Sequence, residues 1–278
     1  MDSKTLKELS KLEEKARLIR KDVIEMMWYG QGGHIGGSLS IIEILTVLYF
    51  SELNVNPNKP DWEDRDRLIL SKGHAAASLY AILANKQYFP KERLFDSFRV
   101  CIDGMLQEHP DMKNIPGIDM TSGSLGMGLS VGVGIAFGKR LLKKDFHIYV
   151  ILGDGEIQEG QVWEAAMAAG HYHLNELVAI IDYNNLQVNG YVDEILTIEP
   201  IKEKWEAFNW HVEEIDGHNI NEIIDSLREA RNRKDKPTVI IAHTIKGKGI
   251  SFIENKIEWH SGSLTYEKMK KALKELGF

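Results

Sequence analysis

Between residues 147 and 243, short apolar runs alternate with amphipathic stretches, and this alternation constrains the fold more than any other feature of the chain. The runs 147–152, 177–181, 211–215 and 238–243 have the length and apolar content of buried strands. The intervening segments 159–170, 201–208 and 219–233 carry helical patterns. A helical crossover between two strands delivers the second parallel to the first. The expected fold class is therefore α/β, with one parallel sheet and helices on both faces. No composition break or low-complexity linker divides the 278 residues, so a single domain is expected.

Upstream, Leu6, Leu9, Leu12, Ala16, Ile19, Val23 and Met27 recur at helical steps and predict an N-terminal helix ended by Gly30. A glycine-rich turn covers 31–37. Ser40 and Glu43 then stand at capping-box spacing, which predicts a helix opening there and running to about Phe50. A polar loop, 61–66, precedes the apolar run 68–70, then Ser71-Lys72-Gly73-His74 and an alanine-rich helix. Residues 107–120 read as irregular, and the glycine-spaced segment 123–138 as a helix starting near Gly126. The whole segment before Phe146 is expected to supply outer helices and loops. A short C-terminal helix covers about 263–276.

A net charge of −7 and a pI near 5.8 give no general attraction to nucleic acid or to an anionic membrane. No run approaches 18 uncharged apolar residues, and Met1-Asp2-Ser3-Lys4 opens no apolar leader, so a cytoplasmic protein is expected. The single cysteine, Cys101, cannot form an internal disulfide and is expected to be a small buried apolar residue.

The chemistry gathers at strand ends. In parallel sheets, ligands bind beyond the carboxyl ends of the strands, and the run 147–152 delivers Gly153-Asp154-Gly155 there. The two glycines let backbone N–H groups approach a diphosphate, and Asp154 offers a hard oxygen to a divalent cation. A helix beginning near Glu159 turns its positive end towards the same anion. The run 177–181 ends at Asp182-Tyr183-Asn184-Asn185, and the interval after Gly155 holds one helix and one strand. The second loop can therefore arrive beside the first, adding a side-chain oxygen from Asn184 and a carbonyl from Leu186.

Gly-Asp-Gly, a helix, a strand and then Asn resembles the cofactor fingerprint of thiamine diphosphate enzymes. The fuller string from Gly153 to Gly160, followed by Glu164-Ala165, resembles transketolases in particular. The resemblance implies a thiamine diphosphate-binding (PP) domain. Its cofactor, thiamine diphosphate, would be held through Mg²⁺ (or Ca²⁺ or Mn²⁺) on Asp154, Asn184 and Leu186, with Gly153, Gly155 and Glu159 beside it. Four histidine loops are similar to those of the same family: Gly33-His34-Ile35-Gly36, Ser71-Lys72-Gly73-His74, Glu108-His109-Pro110-Asp111 (Asp111 replacing a Glu) and Trp259-His260-Ser261-Gly262. By resemblance His34 and His260 line the donor channel, and His109 meets the substrate near the reacting carbon. His74 lies between substrate and diphosphate, and His74 and His260 also touch the cofactor. Imidazole suits proton movement and hydroxyl binding near neutral pH.

Residues 121–128 resemble a segment that lies along the cofactor, implying contacts from Gly123, Ser124 and Leu125, with Ser124 in place of Pro and Met127 in place of Gln. Glu159 and Glu164 correspond to acidic residues that link cofactor sites across a subunit interface. The basic, glycine-rich Lys246-Gly247-Lys248-Gly249 is a further candidate for phosphate. His147, His171, His173, His211, His218 and His243 match no such loop and are expected to be structural.

The resemblance spans residues 5–265 and only half an enzyme, since the pyrimidine-binding and C-terminal domains of a transketolase have no counterpart after Glu258. It implies the N-terminal subunit of a split transketolase. Such a chain would pair with a C-terminal subunit, as an α2β2 heterotetramer, to move a two-carbon ketol unit from a ketose to an aldose, phosphorylated or free. Three alternatives share the metal motif: a 2-oxo acid dehydrogenase E1 α subunit, half of a 1-deoxyxylulose 5-phosphate synthase-like enzyme, and a non-catalytic cofactor-binding module. The histidine loops favour the sugar-handling reading.

Overall fold

The computed structural model describes residues 3–102 and 104–278. Its strands are β1 Arg67–Leu70, β2 Ile148–Gly153, β3 Leu177–Tyr183, β4 Leu186–Gln187, β5 Gly190–Tyr191, β6 His211–Asp216 and β7 Thr238–His243. Five of them form one sheet in the order β1-β2-β3-β7-β6, every neighbouring pair parallel. After β3 the chain makes the small antiparallel ribbon β4–β5, lays β6 at the sheet edge and returns to fill the remaining slot with β7.

The period-two alternation of the central strands feeds two apolar cores. Tyr149, Ile151, Val178, Ile180 and Ile240 enter one; Val150, Leu152, Ala179, Ile181 and Ile241 enter the other. The helices are α1 Ser3–Tyr29, α2 Ile35–Leu39, α3 Ile42–Val47, α4 Ala76–Asn85, α5 Arg93–Asp96, α6 Met127–Leu141, α7 Gly160–His171, α8 Val192–Leu196, α9 Ile201–Ala207, α10 Ile220–Asn232 and α11 Tyr266–Glu275. Ile19, Ile42, Leu79, Ile224 and Met269 pack α1, α3, α4, α10 and α11 into the first core. Leu129, Val162 and Trp205 pack α6, α7 and α9 into the second. Helices thus cover both faces, as the alternation predicts. No helix among the described residues is long and apolar enough to cross a membrane.

Four expectations are corrected. The segment before Phe146 supplies more than outer helices and loops: its apolar run 68–70 lies in the edge strand β1. Four residues are too few for periodicity to declare a strand, and its far side is closed by Asp119, which accepts from Leu68 N at 2.8 Å. The capping box at Ser40 and Glu43 does not form. Ser40 instead ends α2 and donates to Asp182 at 2.7 Å, while Glu43 pairs with Arg20 at 2.7 Å and His218 at 3.1 Å. Buried charged partners, Asp182 for Ser40 and Arg20 for Glu43, outcompete a local N–H. Cys101 is exposed, in a turn whose neighbours Val100 and Ile102 also face solvent. The last helix starts at Tyr266, where the Thr265 hydroxyl accepts from Lys268 N.

Candidate active site

The carboxyl ends of β1, β2, β3 and β7 deliver Ser71–His74, Gly153–Gly155, Asp182–Leu186 and Thr244–Lys246 to one cavity of about 410 Å³. Two further loops close on it from the ends of the chain. Gly33 and Gly262 exchange backbone hydrogen bonds at 3.0 Å in each direction, which sets His34 beside His260. Gly33 has φ +148, a conformation that side chains rarely adopt, and a Cβ there would meet Met27 Sδ at 3.2 Å. His109 arrives on its own loop, tied by Tyr80 Oη donating to its carbonyl at 2.8 Å.

The four imidazoles form one cluster. Ring centroids lie 5.2 Å apart for His34–His74, 5.3 Å for His74–His260, 5.4 Å for His34–His260 and 6.3 Å for His34–His109. Burial holds His74 well below its usual value, with Lys72 adding to the effect, and pushes His260 down to about 3, helped by Lys246. Burial also lowers His34, although Glu108 opposes it. His34, His74 and His260 are therefore neutral at pH 7, able both to donate and to accept.

Beneath them lies a buried charge network. Lys72 Nζ donates to Asp182 and to the Gly37 carbonyl at 2.9 Å. Burial alone would raise Asp182, but Lys72, Thr244 and Ser40 override it and keep the carboxylate below its ordinary range. Asp154 accepts from Gly155 N at 2.7 Å, Asn184 N at 2.8 Å and Asn185 N. Burial, reinforced by Asp182, still pushes it up to about 6. That carboxylate is short of positive charge. Asn184 Oδ1 accepts from Leu186 N at 3.1 Å, and the Leu186 carbonyl accepts from Lys246 Nζ at 2.6 Å. Asp154, Asn184 and Leu186 thus present oxygens of the hard type that Mg²⁺ takes, on adjacent loops, and the under-compensated Asp154 fits a divalent cation. Glu156 ties the loops together, accepting from Ser71 Oγ and, at 2.9 Å each, from Gly126 N and Gly153 N.

His34, His74, His109, Gly123, Leu125, Gly153, Asp154, Gly155, Glu159, Asn184, Leu186 and His260 all line the cavity. Ser124 does not: it is exposed beside Gly123, and Glu164 is exposed on α7. Lys246 lines it and Lys248 does not. Lys72, Asp182 and Glu156 also line it; they stand in the loops 71–74, 182–185 and 153–160 that the sequence singles out, but no local feature marks them individually. His218 is structural, its Nε2 accepting from Ile245 N at 2.8 Å. Among the described residues, His211, Glu213 and Glu229 form the single grouping of three histidine or carboxylate side chains at metal-ligating distances. It lies outside this cavity, and Arg233 already sits 3.1 Å from Glu229.

The family described as transketolase, thiamine diphosphate binding domain, matches residues 10–278. The 6-deoxy-6-sulfo-D-fructose transketolase subunit SqwG of Clostridium sp. (strain MSTE9) is 48% identical over 265 residues, covering 95% of this chain and 96% of the relative. An apulose-4-phosphate transketolase subunit from Phocaeicola vulgatus is 41% identical, covering 95% and 93%. Among solved structures, the transketolase of Campylobacter jejuni superposes with a TM-score of 0.90 at 34% identity, covering 96% of this chain and 43% of that one. The transketolase of Leishmania mexicana gives 0.91 at 30%, covering 96% and 41%. The chain thus spans about two fifths of these solved transketolases and nearly all of the two subunits.

Proposed function

This chain belongs to the transketolase family through its thiamine diphosphate-binding domain, and we propose that it is the cofactor-anchoring half of a two-chain ketol transferase. The observation that carries the reading is the cluster of His34, His74, His109 and His260 set beside the Asp154, Asn184 and Leu186 oxygens in one cavity. Thiamine diphosphate, when bound, supplies the electron sink for cleaving a carbon–carbon bond. Asp154, the Asn184 side chain and the Leu186 carbonyl hold Mg²⁺, or Ca²⁺ or Mn²⁺ in its place, and Lys246 offers its charge to the diphosphate. His34, His109 and His260 orient the hydroxyls of a ketose such as xylulose 5-phosphate and exchange protons with them.

Leu125 and Val188, 38% and 55% exposed, line the cavity and leave apolar surface for another chain to cover. The partner is a C-terminal transketolase subunit carrying the pyrimidine-binding domain, and two copies of each make an α2β2 heterotetramer. The relatives named as subunits support this division of labour. A cytoplasmic location and a role in the pentose phosphate pathway belong to the same proposal.

The test mixes the purified chain with the product of a candidate partner gene and assays transfer from xylulose 5-phosphate to ribose 5-phosphate. The pair transfers and either chain alone does not; equal rates for this chain alone and the pair would overturn the split site. Pyruvate consumption in place of the sugar would indicate a decarboxylating relative instead. His109→Ala keeps cofactor affinity and loses transfer, which separates an enzyme from a module that only binds the cofactor.

A further inference from the structure

We propose that Glu108 is a positioning residue for ketol transfer, holding the His34 ring with its proton on Nδ1 so that Nε2 meets the donor sugar as an acceptor. The proposal rests on the donor-channel role given to His34 above. Glu108 Oε1 lies 3.0 Å from His34 Nδ1. Its second oxygen faces Arg99 Nε at 3.6 Å, and Arg99 in turn reaches the Gly30 carbonyl at 3.4 Å.

A carboxylate is an acceptor only, and it cannot face an imidazole lone pair at 3.0 Å without repulsion, so the hydrogen belongs on Nδ1. The contact is bent from the ideal hydrogen-bond direction, so the carboxylate acts on Nδ1 chiefly by charge at close range. Nδ1 is itself buried, although the ring lines the cavity and keeps 23% of its side chain exposed. The exposed edge is therefore the one that carries Nε2. In a neutral imidazole the second nitrogen then accepts.

His260 is poised the opposite way. Its Nδ1 faces the Lys246 ammonium at 3.0 Å, and an ammonium can only donate, so the ring proton sits on Nε2. Two neighbouring rings, centroids 5.4 Å apart, thus offer one acceptor and one donor. A hydroxyl group needs both. Of the charged and titratable groups that bear on His34, His109 and Arg99 disfavour a proton on the ring and Glu108 favours it. His74 and His260 pack against the ring, with Lys72 and Lys246 behind them. Glu108 is the carboxylate of this set, and its neighbour in sequence, His109, belongs to the same cluster.

The test has a spectroscopic arm and a kinetic arm. Long-range ¹H–¹⁵N spectra of the chain labelled at histidine nitrogen, assigned with His34→Gln, should show His34 protonated at Nδ1. Glu108→Ala should move that proton to Nε2, and Glu108→Gln, which keeps the shape and removes the charge, should move it as well. In the assembled two-chain enzyme, with hydroxypyruvate as donor, Glu108→Ala should lower kcat/KM for the donor by about tenfold, the loss of one charge-assisted contact. The acceptor KM should stay unchanged, and Glu108→Gln, which lacks the charge, should share most of the donor loss. Wild-type His34 protonated at Nε2, an unchanged spectrum in Glu108→Ala, or wild-type transfer by Glu108→Ala each overturns the proposal. The spectrum requires neither cofactor nor partner, so a pair that transfers no ketol unit sinks the functional reading while leaving the Glu108–His34 geometry tested on its own. If Glu108→Ala does not fold, Glu108→Gln still decides: loss of Nδ1 protonation in it counts for the proposal, and retention counts against it.

Discussion

Lys246 Nζ donates to the carbonyl of Leu186 at 2.6 Å, so an ammonium holds the backbone oxygen assigned to the cation. Burial, with Lys72 nearby, pushes that ammonium down to about 8, and its attraction to Asp154 and Asp182 works the other way. A divalent cation held by the Leu186 oxygen would leave Lys246 available to the diphosphate. Lys246→Met should therefore weaken thiamine diphosphate binding by about 10- to 100-fold at saturating Mg²⁺. Calorimetric titration of the chain measures it; wild-type affinity would remove Lys246 from the cofactor site.

Asp154 predicts a pH dependence for metal loading. Its folded value, about 6, lies above the ordinary 3.8, so its contribution to stability is full below about pH 4 and is lost as pH rises through 6. A cation that pairs with the ionised carboxylate repays this loss. The rise in Tm produced by Mg²⁺ with thiamine diphosphate should be larger at about pH 7.5 than at about pH 5, and Asp154→Ala should abolish it at both. A shift independent of pH would count against Asp154 as a ligand.

Lys72 and Asp182 are both buried and stand 110 positions apart in sequence. Removing the cation leaves a carboxylate without charge compensation, held only by Ser40, Thr244 and Asn184. Lys72→Met should cost about 3–5 kcal/mol in urea unfolding at neutral pH. The deficit should shrink in acid as Asp182 protonates.

Gly126 opens α6 at φ +80, and a Cβ there would meet Glu159 Cβ at 2.7 Å. Gly126→Ala should destabilise the chain by about 1–3 kcal/mol through backbone strain. It should also weaken cofactor binding, because Leu125 and Glu159 both line the cavity. Thermal melts and a cofactor titration on the same preparation check both effects.

Ser124 offers a contrast. It stands outside the cavity wall and exposed, so Ser124→Ala should change cofactor affinity in the isolated chain by less than about twofold. A large loss would mean that the segment 121–128 closes over the cofactor.

Much of this was legible in the chain. The strands β2, β3 and β7 are buried on both faces and read as unbroken apolar runs, and their glycine- and asparagine-bearing tips announce a ligand site. The histidine loops were recognisable because glycine or proline brackets each ring. The edge strand β1 was not, since four residues carry no period. Ser40 and Glu43 looked local and were not: their partners, Asp182, Arg20 and His218, come from elsewhere in the chain.

By itself the sequence determined what depends on near neighbours: the alternation of strand and helix, the turns that glycine allows, and which residue types stand at the strand ends. Only the tertiary structure decided which charges meet. Glu108 against His34, Lys246 against His260 and Lys72 against Asp182 are pairings across 74, 14 and 110 positions, made where the chain closes on itself. A buried charge is stable only with its partner in place, and that partner is set by the packing of the sheet and its loops rather than by spacing along the chain.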